Sequence, residues 1–291
     1  MKSLKGNLSE AVPYNRGDFP IFISKSNLPK MSDYSINNHW HNDVEFIKVI
    51  SGSIKYCING NTLSLKEGDG IFINSNQFHY NFLEKEEECV FICIVFQPTL
   101  LCSSKSISEK YIMPIATNPS LPYYKLSSLV KWEKNVLDAV EKIYNINNEN
   151  AFELKLHNIF FGMWTDLFEH LNQRTKKEPS GKHHLSALKN MISFIQQHYK
   201  EKIGLCDIAL SGNVCTTSCY TIFKDYTNQT PCGYLNEYRL RKSIDLMKNT
   251  DMTLTEICYE VGFSGASYFA ECFKQTFKCS PSKYRKNSEL I

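Results

Sequence analysis

The period of the hydrophobic pattern changes along this chain, and the change bounds what the chain folds into. From Phe19 to about Phe96 the apolar residues come in short, β-like runs: EFIKVI (45–50), SIKYCI (53–58), TLSLKEGD (62–69), GIFI (70–73) and CVFICIVF (89–96). Turn-forming residues punctuate them at Ser51-Gly52, Asn59-Gly60, Gly68-Asp69 and Asn74-Ser75-Asn76. Asn-Gly between alternating runs signals a two-residue hairpin, and many short strands at regular spacing predict a small barrel or sandwich. From about Ser127 the period becomes helical. Strands followed by helices make an α+β chain, and 291 residues are comfortable for two domains.

The first helical stretch carries Trp132, Val136, Val140 and Ile143 on one face, and the next carries Phe152, Leu156, Ile159, Met163, Leu167 and Leu171. Such spacing predicts an antiparallel helical hairpin with an apolar stripe. The stripe packs on the barrel or forms a dimer interface; its width serves either. Composition then turns polar, QRTKKEPSGKHH at 173–184, with Pro179-Ser180-Gly181 marking a loop. The expected organisation is a barrel at 1–126, the hairpin at 127–174, a linker at 175–184 and an all-helical domain at 185–291.

That last third contains an internal repeat. Ile208-Ala209, Phe223-Lys224 and Thr230-Pro231 recur as Ile257-Cys258, Phe273-Lys274 and Ser280-Pro281, at offsets of 49, 50 and 50 residues. In the second copy Thr253 and Glu256 have capping-box spacing. Leu254, Ile257, Cys258 and Val261 face inward, Gly262 ends the helix, Ser264 is placed to cap the next, and Phe269, Phe273 and Phe277 line that helix's inner face. A small residue four before a left-handed turn residue, with a second helix following, is helix-turn-helix grammar. The first copy repeats it with Ala209 and with Asn213, which tolerates the left-handed region; Cys215-Thr216-Thr217 then opens the second helix, with Cys219, Ile222 and Phe223 inward. Between the copies Thr230 caps and Pro231 starts a long spacer helix to about Lys248, so that two second helices would enter successive major grooves about 34 Å apart.

The stretches EICYEVGFSGASYFAECFKQTFKCSPSKYR (256–285) and TPCGYLNEYRLRKSIDLMKNTD (230–251) closely resemble the signature of AraC/XylS-type transcription regulators. The resemblance covers Leu185 to the C-terminus. It implies a seven-helix domain with two helix-turn-helix units that binds double-stranded DNA, and a regulator rather than an enzyme. Carried over, the base-reading positions are Thr217, Ser218, Tyr220 and Thr221 in the first unit and Ala266, Ser267, Ala270 and Glu271 in the second, with Lys224 and Lys274 placed to meet phosphate. The second set holds no Arg or Gln, and Glu271 repels phosphate unless it accepts from a cytosine amino group. Specificity is therefore expected to lie mostly in the first unit.

In the N-terminal half, His39-Trp-His41-x₃-Glu45-x₆-Gly52 follows the first cupin motif, and Gly68, Asn74, Asn76 and His79 approximate the second, with Asn74 and Asn76 where that family usually has Pro and Gly. Many AraC-type regulators carry such a cupin-like sensor. His39, His41 and Glu45 share a strand face by even spacing, and His79 joins from a neighbouring strand pair. Three imidazoles and a carboxylate would suit iron, manganese, nickel or zinc, but the reading taken is that they hydrogen-bond an effector or the barrel itself and that the barrel holds no cofactor; a divalent metal on His39, His41, Glu45 and His79 is the alternative. The expected ligand-binding set is His39, His41, Glu45, Phe72 and His79. Trp40, Phe46, Phe72, Phe78 and Tyr80 either stack on a sugar face or form core.

The resemblance implies a ligand-responsive regulator of a metabolic operon, an activator, with carbohydrate use as the expected class, working as a homodimer with RNA polymerase and a small-molecule effector. Two rivals are a metal-dependent cupin enzyme fused to a DNA-binding domain and a redox regulator using Cys215 and Cys219. The first dozen residues, MKSLKGNLSEAV, hold no apolar run, and the expectation is a cytoplasmic protein without membrane contact. Eleven cysteines with no CxxC pair argue against a disulfide framework or a thiolate zinc site. Cys57, Cys93, Cys258 and Cys272 read as buried apolar groups. A net charge of +3 excludes a polycation, yet from His183 onward 13 Lys+Arg face 10 Asp+Glu, so the whole surplus lies on the DNA-binding third.

Overall fold

The computed structural model describes residues 12–15, 19–28, 39–84, 88–146, 149–172 and 182–288. They form two compact units that separate within the polar stretch after the second helix of the hairpin. Most of the expected 175–184 linker lies outside the described residues; its last three, from Lys182, already belong to a helix.

Seven strands build the first unit: β1 (Ile21–Leu28), β2 (Val44–Ile58), β3 (Asn61–Lys66), β4 (Gly70–Ile73), β5 (His79–Phe82), β6 (Cys89–Phe96) and β7 (Tyr123–Leu126). Their order is β1-β6-β2-β4-β7, and β3 and β5 both pair with the C-terminal half of β2. Asn59 and Gly60 both take positive φ, 49° and 84°, as a type I′ turn requires, and close the β2–β3 hairpin at Ile58↔Asn61. The expected turn at Ser51-Gly52 is not one. Both residues lie inside β2, a single strand of 15 residues. A β-bulge between Val49 and Ser51 shifts its register. The extra residue swaps the strand's faces: Ile47 and Val49 point into the barrel before it, and Ile54, Tyr56 and Ile58 after it.

The other face of the sheet is covered by helices. α1 (Lys131–Asn145) and α2 (Phe152–Leu171) put the whole apolar stripe, Val136 to Ile143 and Phe152 to Leu171, into one cluster with Val44, Phe46, Phe72, Ile94 and Phe96. The stripe is therefore used on the sheet. α1 comes so close at Gly70 that a Cβ there would lie 2.4 Å from Leu137 Cδ2 and 2.3 Å from Ile47 O. Lys48, on the same face of β2, reaches Glu141 at 2.6 Å and ties strand to helix. Short helical turns between Pro98 and Ala116, which the hydrophobic period does not announce, complete this layer with Leu101, Ile112 and Ile115; Trp164 Nε1 donates to Tyr111 O at 3.0 Å.

The second unit consists, among the described residues, of seven helices: α3 (Lys182–His198), α4 (Leu205–Ser211), α5 (Thr216–Thr227), α6 (Pro231–Asn249), α7 (Leu254–Glu260), α8 (Ala266–Phe277) and α9 (Pro281–Ser288). The repeat is visible in hydrogen bonds. Val214 N–H donates to Ala209 O and Asn213 N–H to Leu210 O; Phe263 N–H donates to Cys258 O and Gly262 N–H to Tyr259 O. Each pair is a Schellman closure that ends the first helix of a unit, and Asn213 and Gly262 take its left-handed position at φ 53° and 91°. The one-residue insertion falls after this closure. It makes Gly265, not Ser264, the residue preceding α8, and no side chain caps that helix. Thr230 caps α6 at Gly233 N, and Thr253 and Glu256 close a reciprocal capping box on α7. Arg239 of α6, mostly buried, donates to Tyr199 O at 2.7 Å and Glu201 O at 2.8 Å, so the spacer helix is locked onto the chain entering α4.

At Gly262 a Cβ would meet Tyr199 O at 2.5 Å with φ already positive. Gly262→Ala is expected to destabilise the second unit by about 2 kcal/mol, whereas Asn213→Gly should stay within about 0.5 kcal/mol. Urea unfolding followed by far-UV circular dichroism checks both.

Candidate functional site

The first site lies inside the barrel. His39 enters through a bridge to β5, exchanging backbone hydrogen bonds with His79 at 3.1 and 2.9 Å. Asn76 N–H donates to His41 O at 2.7 Å from a left-handed residue at φ 63°. Asn therefore does the conformational work of the family's glycine at this position. Asn74 has a structural role: its amide donates to Ile115 O and Leu121 O and holds the helical layer.

His41, Glu45 and His79 are buried, His39 partly so, and one ligand atom from each of the four lies within 4.8 Å of the others. Glu45 Oε2 is 2.9 Å from His79 Nε2 and 3.4 Å from His41 Nε2. The opposite ring nitrogens face backbone carbonyls, His41 Nδ1 at Asp43 O (3.1 Å) and His79 Nδ1 at Gln77 O (2.9 Å). A carbonyl accepts only, so each Nδ1 carries a proton. The Nε2 atoms then face the carboxylate either as protonated imidazolium or as lone pairs shared with a cation. Burial is the largest effect on Glu45 and favours its neutral form. The His79 ring beside it and the hydrogen bonds from both imidazoles outweigh that and hold its carboxyl well below the usual range. His41 is the mirror case: burial lowers its pKa, and the bond to Glu45 and the charges of Glu45 and Asp43 raise it above the ordinary value.

The donor set fits a divalent metal of the iron-to-zinc group. The nitrogens and carboxylate are of the right type, and the carbonyls behind the rings are the second shell that fixes imidazole ligands. His39, His41, Glu45 and His79 would hold the ion, which when bound supplies a Lewis-acidic anchor for an oxygen ligand.

Phe72 does not belong with these residues. It pairs with Phe46 across the strands and packs on Trp164, on the helical side of the sheet. It is core, as are Trp40, Phe46 and Phe78. Two contributors were not legible as such. Cys93, expected as apolar filler, donates to Glu45 Oε1 at 3.5 Å. Asn81, two residues beyond His79 on the same face of β5, donates to Tyr56 Oη at 2.9 Å. Strand parity from His79 points to Asn81; the bulge hides Tyr56.

The second site is the pair of helices α5 and α8. Thr217, Tyr220, Thr221 and Lys224 are exposed along α5, and Ala266, Ser267, Glu271 and Lys274 along α8; Ser218 and Ala270 are half-buried beside them. Cys219, Ile222, Phe223, Phe269 and Phe273 hold the opposite faces in the core. Tyr268 is also exposed on α8 and accepts from Asn236 of the spacer helix at 2.9 Å. Glu271 Oε1 accepts from Gln275 at 3.3 Å. The thiols of the redox reading differ in kind: Cys215 is exposed at the start of α5 with its pKa lowered by Ser218, whereas burial pushes the Cys219 thiol up to about 11.

The titration signs follow from the barrel pair. The raised His41 pKa stabilises the fold below the ordinary histidine value of 6.5, and that contribution is lost as pH rises through the raised value. The lowered Glu45 pKa stabilises above the ordinary carboxylate value of 4.5 and is lost only as pH falls through the depressed value. Metal-stripped protein should therefore lose thermal stability between neutral and alkaline pH, and Glu45→Gln should flatten that slope in a series of melting curves.

Residues 213–287 match the model of a helix-turn-helix domain and residues 31–95 that of a cupin domain. An HTH-type transcriptional regulator of Bacillus subtilis (strain 168), the uncharacterized YdeC, is 31% identical over 282 residues, 96% of each chain. The HTH-type transcriptional activator RhaS of Mannheimia succiniciproducens is 22% identical over 277 residues, 94% of this chain and 96% of its own. The melibiose operon regulatory protein of Escherichia coli (strain K12) is 23% identical over 257 residues, 87% of this chain and 84% of its own. With its sheet-rich cupin unit and its two helix-turn-helix units, the chain belongs to the AraC-type family of helix-turn-helix transcriptional regulators.

Proposed function

We propose that this regulator is ligand-responsive and sequence-specific, and that it activates a metabolic operon of carbohydrate use. The observation that carries the reading is the coexistence in one chain of two exposed polar helix faces and a largely buried histidine–carboxylate cluster inside a barrel. Polar groups in a barrel core are costly unless partners meet them; here Glu45, His41, His79 and Cys93 meet one another, and a small-molecule effector that exchanges with those contacts suits such a cluster. The effector acts by its difference in affinity for two arrangements of the protein, since a ligand shifts an equilibrium by no more than that. The relatives named as an activator and as an operon regulator for a sugar support activation and carbohydrate use.

Thr217, Ser218, Tyr220 and Thr221 read bases in this scheme, Ala266, Ser267, Ala270 and Glu271 contribute less, and Lys224 and Lys274 meet phosphate. The protein works in the cytoplasm, as a homodimer, with RNA polymerase as its further partner and without catalysis of its own; no helix among the described residues is long and apolar enough to cross a membrane. The surplus of three positive charges is small, so a second DNA-binding domain supplies affinity that one lacks. With the apolar stripe of α1 and α2 used on the sheet, the dimer contact falls to other surfaces of that unit.

A second reading concerns the barrel: the carbonyl-held Nδ1 atoms of His41 and His79 turn both Nε2 atoms toward Glu45, an arrangement that also suits a bound divalent ion in this cluster. Metal analysis of purified protein is expected to find about one ion per chain, lost in His41→Ala; metal-free wild-type protein that still responds to effector removes the ion from the scheme. On the DNA side, Thr221→Ala or Tyr220→Ala should abolish a specific footprint, a loss of at least tenfold in affinity, while Ala266→Ser changes it little. A footprint retained by both first-unit variants overturns the assignment of the reading helix.

A further inference from the structure

The two helix-turn-helix units repeat each other in backbone and differ in charge where their second helices end. At the repeat offset of 50 residues, Asp225, Asn228, Gly233 and Asn236 of the first copy stand where the second has Gln275, Lys278, Lys283 and Lys286. At these positions the second copy has one acid fewer and three lysines more. From Cys272 to Ser288 the chain carries Lys274, Lys278, Lys283, Arg285 and Lys286, and no Asp or Glu. Arg285 serves the fold, donating to Met252 O at 2.7 Å. The four lysines are exposed, and among the described residues none of them is paired with a carboxylate. Other cations of this unit are paired, Lys200 with Glu260 and Arg241 with Glu237.

Two of the four stand against local preference. Lys278 closes α8 in the left-handed region at φ 57°. Its counterpart Asn228 closes α5 at the same φ of 57°, but Asn visits that region readily and Lys does not. Of the non-glycine residues at positive φ among the described residues, four are Asn and the others are Ala151 and Lys278. Lys283 is the third residue of α9, whose first turn holds no acid, and the positive end of a helix disfavours a cation. Lys278 Nζ donates to Gln275 O at 2.9 Å, an exposed bond that water replaces at little cost. Folding alone therefore explains neither lysine, and local rules are broken where function requires it.

We propose that Lys278 and Lys283, flanked by Lys274 and Lys286, form a phosphate grip, a surface of the second unit that holds the DNA backbone without reading sequence. This rests on α5 and α8 being the DNA-binding pair. Ser267, Glu271, Lys274 and Lys278 follow one another at steps of four, three and four residues, so the grip prolongs the exposed face of α8. That continuity selects the duplex over an acidic protein surface. Lysine meets phosphate as a point charge, without the bidentate geometry by which Arg reads guanine or Gln reads adenine. The two units then divide the work, the first reading bases and the second holding the backbone.

Fluorescence anisotropy of the full chain over a salt series tests this, with one duplex selected by wild-type protein from a randomised pool and one unrelated duplex. Lys278→Gly removes charge and strain together. Its melting temperature should equal or exceed that of wild type, while affinity for both duplexes falls by the same factor, roughly threefold or more, and the slope of log K on log salt loses about 0.9. Lys278→Arg should keep the wild-type affinity and slope. Lys283→Gln should act as Lys278→Gly does, and the double variant should lose about twice the slope. Unchanged affinity and slope in both single variants overturns the grip, even where Thr221→Ala still loses the selected duplex. A loss confined to the selected duplex makes Lys278 a base reader and overturns it too. A lowered melting temperature in Lys278→Gly assigns that lysine to helix closure and removes it from the grip. If wild-type protein selects no site, the reading of α5 and α8 falls while the unrelated duplex still tests the grip; binding to neither duplex overturns both.

Discussion

Side chains alternate across a strand, and in β2 both sides are occupied. Before the bulge, Val44, Phe46 and Lys48 meet the helical layer while Ile47 and Val49 fill the barrel. The remaining arrangement follows from that alternation. Glu45 is forced inside with the apolar core, where only protonated imidazoles, a thiol or a cation meet its charge. Phe72, opposite Phe46, is forced outside onto Trp164. The helical layer is forced onto the sheet, because an apolar outer face left in water would forfeit about 1.5–3 kcal/mol for each large side chain. The bulge then resets the phase, and Tyr56 turns inward where an unbroken strand would have turned it out.

The DNA-facing unit rests on a different constraint, the closure of short helices. An α4 or α7 of seven residues does not stand alone. Each is ended by a Schellman pair, and each is held by small residues, Ala209 and Cys258, that are fully buried. Arg239 adds an anchor that apolar packing cannot: its guanidinium satisfies carbonyls at Tyr199 and Glu201 and lies over Phe263. The spacer between the two helix-turn-helix units is thus anchored at the point where the second turn begins, and the exposed faces of α5 and α8 are carried on fixed elements.

Much of this was legible in residues. Periodicity alone placed both helices of the hairpin, and the repeat located α4, α5, α7 and α8 to within a few residues. The Thr253–Glu256 box and the Asn213 and Gly262 turns declared themselves because local geometry requires those residue types. The histidine–glutamate set was legible from its motif spacing, although only Glu45 of the first motif lies in β2, and His39 joins β5 through an isolated bridge. What misled was also local. Ser51-Gly52 looks like a turn, since Gly serves a bulge as well as it serves a hairpin. Ser264 looks like a cap, since the one-residue insertion is invisible until the Schellman closure shows where it falls.

By itself the sequence determined the identity of the parts: a strand-rich half, a helical half with a repeated unit, and the residue types that seal each turn. These depend on interactions between residues a few positions apart. Which face of each element is covered, and by what, only the tertiary structure decided. Phe72 went to the helices, the hairpin's stripe to the sheet, Cys93 to Glu45 and Tyr56 to Asn81; the single pairs among these lie 25 (Tyr56–Asn81), 48 (Cys93–Glu45) and 92 (Phe72–Trp164) residues apart. The phase of a strand after a bulge is set by the register it adopts against its neighbours, and no local pattern records it.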